Sequence, residues 1–193
     1  MYIDLMHWNY FLSVEDDLER LSRYIEFRPE NYSTFSIELT RIILASTQEV
    51  DVLLRQICSS SGNKPGDEAG YRQFILAQYP KLTEIVVEFA RNEIKLEPFK
   101  DWKVNKTPSW WTANNKIKHF RHTEFKQASL ENSLNSVAAL FITNIYFYLL
   151  MGEKDSDTTS NYLYPNPKLI FSNELIGAIT PTAFGNINIY RLP

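Results

Sequence analysis

LNSVAALFITNIYFYLLM, residues Leu134 to Met151, is the most apolar segment of the chain, and whether it crosses a membrane or lies inside a protein decides the fold. Its length is close to the ~18 residues at which a span must be considered. Asn135, Ser136, Thr143 and Asn144 interrupt it, and Glu153, Asp155 and Asp157 follow where a basic flank would mark a membrane boundary. These interruptions predict a core helix over Leu130 to Met151, capped by Ser129 and stopped by Gly152. No membrane is expected as a partner.

A helix apolar on all sides needs amphipathic neighbours, and the upstream sequence supplies them. From Ser33 to about Cys58, the residues Leu39, Ile42, Ile43, Ser46, Val50, Leu53, Leu54 and Ile57 recur at steps of three and four, the pattern of one buried helical stripe. Glu49 lies at the edge of that stripe, where a carboxylate can pair with a cation or imidazole on a neighbouring helix. Ser13 to Ile25 predicts a shorter helix, with Ser13 as N-cap and Glu15, Asp16 and Asp17 in its first turn. The aromatic residues before it, MYIDLMHWNYFL, show no clear period and read as an irregular or extended arm, with His7 structural.

Between the long stripes, SSSGNKPGDEAG (residues 59–70) is a loop by composition. Tyr71 to Gln78 predicts a short helix stopped near Pro80, and Lys81 to about Arg91 either a further helical piece or the same helix continued through a kink. EIKLEPFKDWKV (residues 93–104) reads as extended or irregular. Beyond a charged linker at 154–160, Lys168–Phe171, Leu175–Ile179 and Ile187–Tyr190 predict three short strands, a small antiparallel appendage lying on the helical body. The chain thus divides into an arm and short helix (1–32), a helical bundle (33–152) and a linker with a β tail (153–193).

Composition narrows the function. With 193 residues there is room for one well-buried core. Twenty Lys plus Arg against twenty-three Asp plus Glu give a net charge of −3, so no global basic field draws the protein to nucleic acid. The single cysteine, Cys58, excludes an intrachain disulfide and a cysteine-rich zinc site, and fits a reducing cytoplasm; it is read as a passive thiol. No phosphate-binding glycine loop, nucleophile elbow or zinc-protease helix motif is present.

The one stretch dense in chemistry is SWWTANNKIKHFRH, Ser109 to His122. Thr107 and Pro108 make a helix start, and the helical period then places Trp110, Ala113, Ile117 and Phe120 on a packing face. Trp111, Asn115, Lys118, His119 and His122 fall opposite, with Arg121 at the margin. Lys116, Lys118, Arg121 and Lys126 are the only local excess of positive charge, to which protonated histidines would add. Three chemistries fit. His119 and His122, three apart, could share a metal with Glu49. They could instead act as acid and base on RNA, with Asn115 orienting and Lys118 or Arg121 holding phosphate. Or Asn115, His119 and Glu49 could form a satisfied hydrogen-bond network inside the bundle. No further ligand cluster appears at metal spacing, so neither metal nor cofactor is expected. Trp110 is expected in the core, and Trp111 is the candidate for stacking on a base.

A long helix with an internal carboxylate, a loop, short helices, and then WWTANNKIKHFRHTEFKQASLENSLNSVAALFITNIYFY together resemble the HEPN superfamily of small helical bundles. Within it, uncharacterised bacterial proteins share a Trp-x-x-x-Asn-Lys-x-Lys-His stretch, matched here by Trp111, Asn115, Lys116, Lys118 and His119. The resemblance covers about Ser33 to Met151. It implies an up-and-down bundle, a homodimer and a place in a prokaryotic defence or toxin system. Active members are metal-independent ribonucleases with Arg, four to six residues, then His. At that spacing before His122 stand Asn115, Lys116 and Ile117, and before His119 stand Thr112, Ala113 and Asn114. Lys116 is a point charge rather than a planar fork. The missing Arg favours a non-catalytic module that binds a nucleotide, RNA or protein, using Trp111, Lys116, Lys118 and Arg121; the alternative is a metal-independent endoribonuclease using His119 and His122 across a dimer.

Overall fold

The computed structural model describes residues 4–155, 163, 165–182 and 185–193. It is mainly α with a small β component: α1 (Met6–Leu21), α2 (Ile37–Ser60), α3 (Glu68–Gln78), α4 (Ser109–Glu124) and α5 (Leu130–Asp155), with strands β1 (Val87–Phe89), β2 (Ile94–Leu96), β3 (Ile170–Phe171), β4 (Ile176–Thr182) and β5 (Gly185–Tyr190). The expected linker lies outside the described residues from 156 to 160.

The apolar segment is the core helix. Of its most apolar window, 89 % is buried within the protein, including Leu134, Val137, Leu140, Phe141, Ile142 and Ile145. Each such side chain contributes about 1.5–3 kcal/mol by leaving water. The donors of the polar interruptions are absorbed locally, and Asn144 Oδ1 is left buried without a partner among the described residues. Thr143 Oγ1 donates to Ala139 O (2.7 Å) and Asn144 Nδ2 to Leu140 O (3.0 Å), both one turn back. Ser136 serves the helix pair: Ser46 Oγ of α2 donates to Ser136 Oγ (2.7 Å), whose own hydroxyl donates to Ser133 O (2.8 Å). Small side chains at this layer let α2 and α5 form the most extensive helix pair of the structure. Ser129 caps α5 as expected, accepting from Asn132 N at 3.3 Å. Gly152 does not stop it; the helix runs on to Asp155.

The N-terminal expectation is overturned. Residues from Met6 onward are helical, and Ser13 lies inside α1 rather than capping it. Trp8, Phe11, Leu18 and Leu21 are buried at helical spacing, but the polar Glu15 sits in the same stripe and disguises the period. Glu15 is 1 % exposed and does what a buried carboxylate requires: it accepts N–H bonds from Lys168 (2.9 Å), Leu169 (2.8 Å) and Ile170 (3.2 Å). The tail is thereby stitched to α1. The helical piece expected at 81–91 is also absent; a 3₁₀ turn at Pro80–Glu84 leads into β1. β1 pairs antiparallel with β2 and also with β3, in the order β2-β1-β3. Local sequence could not reveal this, because the second partner of β1 lies some eighty residues downstream. β4 and β5 form a separate hairpin, with Pro181 inside β4 opposite Asn186. Tyr190 at its end is buried against Trp8 and Phe141, with ring centroids 6.0 and 6.1 Å apart.

Burial pushes the Glu15 carboxyl above its ordinary 4.5, and the three N–H bonds pull it part of the way back. The folded chain therefore holds that proton more tightly than the unfolded chain does. The contribution of this group to stability falls as pH rises from its ordinary value through the raised one, and is level above it. Melting temperatures recorded over about pH 4 to 7 should show this downward component in the wild type and lack it in Glu15→Gln. An upward component assigned to Glu15 would overturn it.

Candidate functional site

α4 starts one residue later than its sequence suggests, at Ser109, with Pro108 at the cap. Thr107 is not its cap, because the Thr107 hydroxyl donates instead to Glu68 Oε2 (2.8 Å). Trp110, Ala113 and Ile117 are buried as the helical period predicts, and Trp110 Nε1 donates to Pro98 O (2.8 Å).

Two aromatic residues exchange their expected places. Trp111 is only 7 % exposed, edge-on to Tyr71 of α3 at 6.4 Å and 5.5 Å from Trp110. The helical wheel assumed one packed face, but α4 meets α2 and α5 and also the Tyr71 ring of α3, so its covered arc is wider. Phe120, expected in the core, is 57 % exposed. Its backbone (φ −135°, ψ 36°) leaves helical geometry, so the regular face ends at Ile117. The same break removes the simple argument that His119 and His122 share a face. Both are exposed.

Glu49 does not face α4. Its carboxylate bonds His7 Nδ1 of α1, and His7 Nε2 lies 3.2 Å from Gln56 Nε2. Burial, then the Glu49 charge, raise the nearby Tyr10 hydroxyl. The expected network of Asn115, His119 and Glu49 is thus not formed; Asn115 Oδ1 accepts from Asn114 Nδ2 (3.3 Å). Lys116 pairs with Glu124 at 3.6 Å, and Lys118, Arg121 and Lys126 are exposed with no ion pair among the described residues. Among the described residues no group of three or more His, Cys, Asp or Glu is placed to hold a metal ion. Cys58 is buried, and burial pushes its thiol up to about 11, which makes it a poor nucleophile.

Beside the exposed strip runs an open groove of about 830 Å³ between α2, the start of α3 and α4. Thr47, Gln48 and Asp51 form one wall, Trp111, Asn114, Asn115 and Lys118 the other, and Asp67 and Glu68 close one end. Three expected site residues, Trp111, Asn115 and Lys118, therefore meet in one concavity; His119, His122 and Arg121 lie outside it. Glu68 is a feature that the loop-like sequence around it conceals. Nearly buried, it accepts from Arg72 Nη1 at 2.9 and 3.0 Å, from Trp102 Nε1 at 2.7 Å and from Thr107. One carboxylate thus fixes the start of α3 and the segment entering α4. Asp51 is held by Arg55 (2.9 Å), which also donates to the Tyr71 hydroxyl (3.2 Å). Thr47 Oγ1 is buried without a hydrogen-bond partner among the described residues.

No family model matches the chain, and neither a curated protein nor a solved structure matches it.

Removing the Glu68 carboxylate would strand the Arg72 guanidinium, so Glu68→Ala should cost about 3–5 kcal/mol in urea unfolding, and Glu68→Gln less. Thr47→Val removes an unpaired hydroxyl at nearly constant volume. It should be neutral or stabilising by up to ~1 kcal/mol in the same measurement; a clear loss would show that the hydroxyl is used.

Proposed function

We propose that the protein is a non-catalytic helical module that binds RNA through the outer surface of α4. The observation that carries this reading is the exposed set Lys118, Arg121 and Lys126, without ion pairs among the described residues, the first of which lines a groove together with the amides of Gln48, Asn114 and Asn115. Cations without carboxylate partners attract phosphates, and side-chain amides offer the paired donor and acceptor that base edges require. The overall charge of −3 does not oppose this, because screening confines the relevant field to about 10 Å at moderate salt. The order of the helices and the Trp111 to His119 motif support the HEPN resemblance, with its prokaryotic defence or toxin setting and its homodimer, and the single cysteine fits a cytoplasmic location.

Binding is favoured over cleavage by the surroundings of the histidines. Neither His119 nor His122 has a carboxylate partner among the described residues, and no Arg stands at the ribonuclease spacing. An imidazole without an orienting group is a poor acid-base pair for attack at the ribose hydroxyl.

Fluorescence anisotropy with a labelled RNA should show binding that weakens with salt. A Lys118→Glu, Arg121→Glu protein should lose affinity about tenfold or more, with a shallower salt slope. The same RNA, incubated in EDTA, should stay intact. Cutting that disappears in a His119→Ala, His122→Ala protein would replace this reading by that of a metal-independent ribonuclease.

A further inference from the structure

We propose that Phe120 is a base-stacking residue and that the RNA taken by this surface is single-stranded. This rests on the RNA-binding reading and names the form of its ligand.

Three features of one short segment converge. The first is the ring itself. The apolar positions Trp110, Ala113 and Ile117 lead by steps of three and four to position 120, where a phenylalanine would extend the buried layer of Ile43, Ala113, Ile117 and Ala128. Phe120 instead leaves helical geometry and stands 57 % exposed. The second is its setting. Lys118 and Arg121 flank it in sequence and Lys126 follows, all exposed and without ion pairs among the described residues, while the His119 ring lies 6.3 Å away. The third is contrast with its neighbours. Phe35, also exposed, already packs edge-on against Phe125 at 5.4 Å. The only ring that contacts Phe120 among the described residues is the exposed His119 imidazole.

An apolar ring set among free cations fits one kind of occupant. A second copy docking by two-fold symmetry would bring Lys118, Arg121 and Lys126 towards their own duplicates, which like-charge repulsion opposes. A polyanion that carries flat, unpaired rings satisfies both features: its phosphates meet the cations and a base covers the phenylalanine. In a duplex the bases are stacked on one another and present only edges, so the ring would find no face to meet. The ligand is therefore a single strand, with phosphates along Lys118, Arg121 and Lys126 and one base on Phe120.

The test uses the full chain, a labelled uridine oligomer about twelve nucleotides long, and the same oligomer annealed to its complement. The wild type should prefer the single strand by about tenfold or more. Phe120→Ala should lose about tenfold on the single strand with an unchanged salt slope, since the ionic contacts remain; Phe120→Trp should retain binding, and Phe120→Leu should behave like Ala. An exposed position makes all three variants foldable. Unchanged single-strand affinity in Phe120→Ala, equal affinity for the duplex, or full binding by Phe120→Leu would each overturn the stacking role while leaving RNA binding in place. A Phe120→Ala protein that loses a dimer in sedimentation yet binds RNA as before would make the ring a subunit contact instead. If the wild type binds neither strand, the RNA reading itself fails, and the stacking role with it.

Discussion

A helix that is apolar around its whole circumference cannot be left against water on any side, and α5 imposes that demand on everything else in the chain. Burying one stripe would suffice for an amphipathic helix; here Leu134 through Leu150 present side chains in every direction, and nearly all are covered. α2 lies along it through a layer of small serines, α1 and α4 close further sides, and the C-terminal hairpin brings Tyr190 over Phe141. Within α5, Thr143 and Asn144 return their donors to the preceding turn, while Asn144 Oδ1 is buried without a partner among the described residues. The elements that look peripheral in sequence are there to complete this cover.

Two buried carboxylates fasten that cover. Glu15 gathers three backbone N–H groups of the tail, and Glu68 gathers Arg72, Trp102 and Thr107. Each joins segments far apart in the chain, and each is satisfied by several donors, which is what makes a carboxylate tolerable at such depth. Glu68 sets how α4 leaves the preceding loop, and so places Trp111, Asn114, Asn115 and Lys118 along the groove.

The surface of α4 combines opposite tendencies over one helix. Its first half is held by Trp110, Trp111 and Ile117 against the body, and around the break at Phe120 the exposed Lys118 and Arg121 flank an uncovered ring. The packed half lines the amide groove, and on the proposed reading the segment around the break presents charge and an aromatic face to RNA.

The helical character of α2, α4 and α5, the capping role of Ser129 and the antiparallel strands of the tail were legible in the sequence, because periodicity, caps and turns are local properties. Segment 109–122 was also legible as the chemically dense one. Its orientation was not: a helical wheel allots one packed face, whereas α3 covers Trp111 from the side and the break at Phe120 turns that ring outward. The first turns of α1, ahead of the helix expected from Ser13, were hidden because Glu15 interrupts its apolar stripe, and the bonds that justify the residue come from Lys168 to Ile170. Glu49 was recognised as a carboxylate awaiting an imidazole, but the imidazole is His7, not His119. The sequence by itself determined that α2, α4 and α5 are helices, that the tail carries short strands, and which segment is dense in polar chemistry. Only the tertiary structure decided which partner each buried polar group meets, because that depends on contacts between residues tens to more than a hundred positions apart, which no local pattern encodes.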